Sequence, residues 1–78
     1  MKQYEVVRVV SLRGNRPFYP SVTNLQVPAV GDIGTILEVY TQPEAAYEVE
    51  CSDPATGITK WLEAMYPDEI ELLQSAAH

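Results

Sequence analysis

The sequence predicts an all-β domain, a small barrel of five strands. Residues 33–40 form a run rich in β-branched and large apolar types, and Tyr47, Val49 and Cys51 then alternate with polar residues. Pro43 lies between these two stretches and marks the turn of an antiparallel hairpin. Turn residues also separate the other short apolar runs, a pattern typical of an all-β domain.

The two strands of this hairpin are predicted to differ in burial. On the second strand, Glu48 and Glu50 face water and the alternating apolar side chains face the interior. On the first strand, Ile36 and Leu37 are neighbours and would point to opposite faces. A bulge or a kink near Gly34 would bury both. In a regular strand, one of them would be an exposed apolar residue instead.

The remaining elements lie towards the two ends of the chain. A first strand is predicted over residues 4–12. A single helical turn over 65–69, with proline and acidic residues near its start, precedes a closing strand over 70–73. Residues 74–78 are small and polar, and we expect them to fray.

The alternation of residues also predicts which side chains of the flanking strands are buried. On the first strand, we expect Val7 and Val9 to face the core. Residues 58–64 form a fourth strand, on which we expect Leu62 inside. Trp61 would then lie on the outer face, either covered by a loop or part of an interface.

A long segment without periodicity, residues 13–29, separates the first strand from the hairpin. We expect an ordered loop laid over the barrel, because its apolar residues are numerous enough to pack. These residues are Phe18, Tyr19, Val22, Leu25 and Val27. Phe18 and Tyr19 lie between two prolines, and one interpretation is an aromatic docking patch with Arg13 and Arg16 at its rim. The other is that the two aromatic rings close one end of the barrel.

The number and spacing of the elements predict an SH3-like barrel that occupies residues 1–78 as a single domain. The pattern consists of five strands, a long first loop, short later loops and one helical turn before the last strand. The competing layout is a five-stranded OB-type barrel. That fold places a longer helix between its third and fourth strands, and residues 52–57 are too short to hold one.

Three short motifs carry a family resemblance. They read Gly-Asp-Ile-Gly-Thr-Ile-Leu-Glu-Val-Tyr at 31–40, Ala-Tyr-Glu-Val-Glu at 46–50 and Pro-Asp-Glu-Ile at 67–70. On these residues the chain, over 4–73, resembles the bacterial domain-of-unknown-function family DUF4926. The resemblance implies an SH3-like barrel and nothing catalytic. The loop over 13–29 looks longer here than in typical members, so a function shared by the family could be altered there.

More distant similarities point to three uses of SH3-like barrels. The Gly-x-x-Gly-Thr strand at 31–35 resembles ribosomal KOW modules, the β subunit of nitrile hydratase and small photosynthetic docking subunits. KOW modules bind RNA through basic surfaces, and the docking subunits use basic residues to hold acidic ferredoxin. Both uses fit poorly with an acidic chain.

The chain is acidic, and its charge is unevenly distributed. Its net charge is −6: residues 1–30 hold four basic residues against one acid, and residues 31–78 hold one against ten. An acidic surface repels phosphate backbones, so we expect no nucleic-acid binding. The single cysteine, Cys51, excludes an internal disulfide, fits a reducing cytoplasm and is interpreted as a small core residue. We expect neither a membrane span nor a signal peptide.

The sequence contains no recognisable catalytic or metal-binding constellation. His78 is the only histidine and lies at the end of the chain, so neither a zinc site of ordinary type nor a histidine-assisted nucleophile can be assembled. Glu38, Glu48 and Glu50 could together hold a hard cation, but such a row is more often a solvated strand face. We therefore expect no enzyme activity, no metal and no cofactor.

These observations predict a non-enzymatic protein-interaction module of the bacterial cytoplasm. It would bind a protein partner or a second copy of itself through the long first loop and neighbouring aromatic residues. The alternative is an accessory barrel that stabilises a catalytic partner subunit, similar to the β subunit of nitrile hydratase, and nucleic-acid binding is a remote third possibility. The candidate interaction residues are Arg13, Arg16, Phe18, Tyr19, Trp61, Tyr40 and Tyr66.

Overall fold

Five antiparallel strands form one sheet in the computed structural model, which describes residues 1–14 and 16–75. The strands are β1 (Val6–Val9), β2 (Ile33–Tyr40), β3 (Ala46–Ser52), β4 (Thr59–Met65) and β5 (Ile70–Gln74), and a 3-10 turn (Pro67–Glu69) precedes β5. The strand order β4-β3-β2-β1-β5 and the turn before the last strand confirm the predicted SH3-like fold. Within the described residues, no hydrogen-bonded pairing of β4 with β5 closes the sheet.

Strand β2 lies at the centre of the sheet and carries a bulge. Its residues 33–35 pair with β1 and its residues 35–40 pair with β3, and the register to β3 shifts between Ile36 and Glu38. Ile36 is fully buried and Leu37 is half-buried, so the bulge buries one of the two adjacent side chains completely and the other in part. Gly34 lies against β3, where a Cβ atom would be 2.6 Å from the carbonyl oxygen of Glu50. Only glycine permits this approach of the two strands.

The core consists of apolar side chains contributed by all five strands. They are Val7, Val9, Ile36, Val49, Cys51, Trp61, Met65 and Ile70. The predicted positions of Val7, Val9 and Val49 in the core are confirmed. Cys51 is 2% exposed, as expected for a small core residue, and burial raises the pKa of its thiol. Tyr47, the third apolar residue of its strand face, is partly buried against the core.

The prediction that Trp61 lies on the outer face of β4 is wrong. Its side chain is fully buried, and its indole Nε1 donates a hydrogen bond to Asp32 Oδ2 at 2.8 Å. Leu62, which was expected inside, is only half-buried. Both faces of this strand carry an apolar residue, so alternation alone does not decide which face is inward. The larger ring occupies the core because the carboxylate of Asp32 satisfies its N–H group.

The boundaries of four elements also differ from the predictions, and for β4 the difference is one residue at each end. β1 is limited to four residues, because Tyr4 has a positive φ of 70° before it, and Val10 and Ser11 after it both donate to the Glu69 carbonyl. The helical turn is shorter than expected. β5 extends to Gln74, one residue into the segment predicted to fray. The end of that segment, residues 76–78 with His78, lies outside the described residues.

Candidate interaction surface

The long first loop runs along the free edge of β4. The backbone N–H groups of Leu25 and Gln26 both donate to the carbonyl oxygen of Lys60, at 2.9 and 3.0 Å. The N–H group of Leu62 donates to the side-chain oxygen of Asn24 at 3.0 Å. An unpaired strand edge presents backbone donors and acceptors of this kind to any approaching chain. Here the loop satisfies several of them.

Arg16 fastens the beginning of the loop to the same edge. Its Nη1 donates to the carbonyl oxygen of Ala64 at 2.8 Å, and its Nη2 donates to the carboxylate of Glu69. Glu63 lies 3.9 Å from the guanidinium. The side chain of Arg16 is only 15% exposed, so it does not lie at the rim of a docking patch, as the sequence had suggested. A cation buried this deeply is structural, because its charge is already compensated.

Glu69 is the buried anion that receives these contacts, and it is not among the residues predicted from the sequence to form a site. Its side chain is fully buried and accepts hydrogen bonds from Arg16, from the Arg13 N–H at 2.8 Å and from the Tyr66 N–H at 2.9 Å. Burial alone would raise the pKa of this carboxyl, but the hydrogen bonds and the positive charge of Arg16 outweigh it and lower the pKa. The only sequence signal was an acidic residue in a turn that begins with proline.

Arg13 makes a second, more exposed set of contacts beside the buried one. Its Nη2 lies 2.9 Å from Oδ1 of Asp68, and its guanidinium carbon lies 3.7 Å from the centre of the Tyr66 ring. The hydrogen bond with Asp68 raises the pKa of Arg13 and lowers that of Asp68. The guanidinium of Arg13 and both Nη atoms of Arg16 therefore make contacts within the chain, whereas the buried Nε of Arg16 has no hydrogen-bond partner among the described residues.

These side chains line a cleft of about 370 Å³ between the loop and the end of β4. Three of the predicted interaction residues, Arg13, Arg16 and Tyr66, meet there. Glu63 forms part of the wall, and its burial raises the pKa of its carboxyl although Arg16 opposes this effect. In residues 1–14 and 16–75, no group of three or more histidine, cysteine or acidic side chains has the geometry of a metal site. The polar atoms of the cleft hold the loop in place.

Four large apolar side chains of the loop are exposed to water. We define the loop surface as Tyr19, Val22, Leu25 and Val27, whose exposed fractions are 75%, 88%, 60% and 59%. Phe18 is half-buried, so the two adjacent aromatic residues do not share one environment. The expectation that Val22, Leu25 and Val27 pack on the barrel is wrong. The loop contacts the edge of β4 through backbone groups and Asn24, which leaves these side chains directed to water.

The other candidates lie away from this surface. Tyr40 is at the end of β2, where its hydroxyl donates to Glu48 at 3.0 Å, and this bond raises the pKa of Tyr40. Glu38 stands opposite Glu48 on the neighbouring strand, so the acidic residues of the hairpin share one region. Trp61 belongs to the core and cannot contact a partner.

Comparisons with known proteins identify no relative of this chain. No family model, curated protein or solved structure matches this chain. The resemblance to DUF4926 therefore stays a prediction from the three sequence motifs. Within residues 1–14 and 16–75, no helix has the length and the apolar character needed to cross a membrane.

Proposed function

We propose that the chain is a non-enzymatic protein-interaction module whose docking site is the loop surface. The observation that carries this proposal is the exposure of Tyr19, Val22, Leu25 and Val27 on one anchored segment. Large apolar side chains exposed together are typical of interaction sites on small soluble domains. Tyrosine in particular contributes strongly at the centre of protein interfaces.

The anchoring of the loop supports this proposal. Ser21 and Asn24 bond each other through their backbone groups, and Asn24, Leu25 and Gln26 bond the edge of β4. At the far end of the loop, the Ala29 N–H donates to the Asp32 side chain. A surface that is already held by such bonds loses little conformational entropy when a partner binds. The loop is therefore suited to recognition.

The distribution of charge supports a protein partner. Residues 17–31 contain no charged side chain, whereas the hairpin and the turn that follows it carry Glu44, Glu48 and Asp53, for which residues 1–14 and 16–75 supply no ion pair. Nucleic-acid binding would require a basic surface, and the arginines nearest the loop are paired with acids. A buried single cysteine is consistent with the reducing cytoplasm, where we place the protein.

Site-specific photo-cross-linking in the source cell tests the proposal. A photoreactive phenylalanine analogue replaces Tyr19 in one variant and Tyr4 in a matched control, because both tyrosines are exposed, at 75% and 63%. We expect a discrete cross-linked protein species from position 19 and none from position 4. An enzyme subunit in that species would favour the accessory-barrel alternative.

The proposal fails if position 19 yields no discrete product, or yields the same products as position 4. Circular dichroism of both purified variants confirms that the fold is retained. Both side chains lie outside the core, so neither replacement should perturb it.

A further inference from the structure

The charge of the chain restricts what can occupy the loop surface. Every copy carries a net charge of −6, so two copies repel one another over most of their surfaces. The loop surface is the exception, because residues 17–31 are uncharged. A basic partner protein would be attracted to the acidic hairpin and not to this uncharged loop. A second copy can approach here without placing like charges in contact.

The positions of the ion pairs strengthen this argument. The arginines that flank the loop surface are neutralised by acids of the same chain, Arg13 by Asp68 and Arg16 by Glu69. Lys60, at the far end of the covered edge, lies 3.8 Å from Asp32. At about 0.1 M salt, the repulsion between exposed charges that lie more than roughly 10 Å apart is largely screened.

The size of the loop surface agrees with a small symmetric interface. At their exposed fractions, its four side chains present on the order of 500 Å². A standard interface buries roughly 800 Å² on each partner, and part of that is always a polar rim. Ile58, two residues before the loop's contact at Lys60, is also exposed.

We infer that the occupant of the loop surface is a second copy of this chain, bound as a two-fold symmetric dimer. In such a dimer each copy contributes the same surface to the interface. An uncharged surface can pair with itself in this way because it needs no oppositely charged partner. Interfaces of this kind are also more apolar than those of transient complexes. The inference rests on the proposed function, since it names the partner of the same surface.

The test is sedimentation equilibrium of the purified chain, which has a mass of 8.7 kDa. The loop variant carries Tyr19→Ser and Val22→Ser. The control carries Tyr4→Ser and Val39→Ser, which remove one exposed tyrosine and one exposed valine elsewhere. We expect a dimer for the wild type and the control. The loop variant should raise the dimer dissociation constant by at least about tenfold.

Salt and dilution provide readouts that do not depend on the variants folding. Dimerisation should be unchanged or strengthened between about 0.05 and about 0.5 M salt, because no ion pair forms and repulsion is screened. In amide NMR spectra of the wild type, dilution from about 1 mM should shift the signals of residues 19–27. A monomeric wild type, a loop variant that dimerises normally, or dilution shifts confined to other regions would each overturn the inference. A monomer that still cross-links a foreign protein through position 19 would overturn the dimer alone and leave the proposed function standing.

Discussion

The two edges of the sheet are protected in different ways. β4, the longer edge at seven residues, is covered by the chain's own loop. Contacts from the loop reach the Lys60 carbonyl, the Leu62 N–H and the Ala64 carbonyl. A long uncovered edge would expose a row of backbone groups to other chains. The loop removes much of that hazard by acting in place of a sixth strand.

β5, the shorter edge at five residues, has no covering segment among the residues that the structure describes. Its pairing with β1 is interrupted by a register shift between Val6 and Val7. On the ladder, Glu71 stands opposite Arg8 and forms an ion pair with it. Short length, an irregularity and charge are recognised ways to discourage pairing at an edge. No extra segment is needed there.

The difference teaches how a small domain can acquire a docking surface. A loop that covers an edge uses its backbone groups and a few polar side chains, such as Asn24 and Arg16, for the contact. Its apolar side chains then have no core to enter, and they face water. β5 also exposes two apolar side chains, Leu72 and Leu73, at 45% and 41%, which is less than any side chain of the loop surface. The loop that covers the edge of β4 is therefore the segment best placed to bind a partner.

The largest effect should come from removing the anion that anchors the covered edge. Glu69→Ala leaves the buried guanidinium of Arg16 and the N–H groups of Arg13 and Tyr66 without their acceptor. We expect the free energy of unfolding to fall by about 3 kcal/mol, as when a buried ion pair loses one partner. Urea denaturation measures this change. Glu69→Gln, which keeps an acceptor, should cost less.

The pH dependence of stability sharpens this prediction. Because folding lowers the pKa of Glu69, its contribution is present above the pKa of the unfolded chain and is lost as the pH falls through the folded value. The lowered pKa of Asp68 changes the free energy of unfolding with pH in the same direction. The raised pKa of Glu63 changes it in the opposite direction. Between about pH 5 and about pH 3, the wild type should lose more stability than Glu69→Ala. Parallel pH profiles would show that Glu69 is not an anchor.

An intermediate effect is expected where the loop bonds the middle of β4. Asn24→Ala removes the acceptor of the Leu62 N–H. The free energy of unfolding should fall by about 1 kcal/mol, the net contribution of one hydrogen bond. Hydrogen exchange at the Leu62 amide should also become faster, because opening of the edge no longer requires that bond to break.

Asn24→Asp is the matched control, because it keeps the acceptor oxygen and should leave the Leu62 amide protected. If both variants exchange at the wild-type rate, the loop does not hold this edge in solution.

The smallest effect should appear on β5. Arg8 and Glu71 form an ion pair whose side chains are 46% and 43% exposed. Arg8→Ala should lower the free energy of unfolding by less than about 0.5 kcal/mol, because water and salt screen exposed pairs. Thermal or urea denaturation at two salt concentrations measures it. A loss above about 1 kcal/mol would mean that charge holds β5 as firmly as hydrogen bonds hold the loop.

Much of the fold could be predicted because its signals are local. The turn at Gly31 and the one at Gly57 both show the positive φ that glycine permits, 99° and 76°. The alternation over the second strand of the hairpin assigned Val49 to the core correctly. Trp61 was misassigned because either phase of its strand places an apolar residue inside. The choice depends on Asp32, which lies in a turn 29 residues earlier.

The candidate site could be predicted only in part. The composition of the loop indicated an apolar segment beside arginines, and Tyr19 is indeed exposed. The roles of Arg16 and Glu69 could not be read from the chain, because the two are separated by 53 positions and meet only after the loop folds back. The same is true of Asn24, whose partner is a backbone group of β4. Hydrogen bonds to a strand edge leave no periodicity in the sequence.

The sequence by itself determined the strands, the turns and half of the core residues (Val7, Val9, Val49 and Cys51), since alternation, β-branched residues and glycine act on neighbouring residues. It also determined that residues 17–31 carry no charge. Only the tertiary structure decided that this uncharged loop covers the edge of β4 and turns its apolar side chains outward. The reason is that the free backbone groups of an edge strand and the buried pair of Arg16 with Glu69 arise between distant segments, after the sheet has formed.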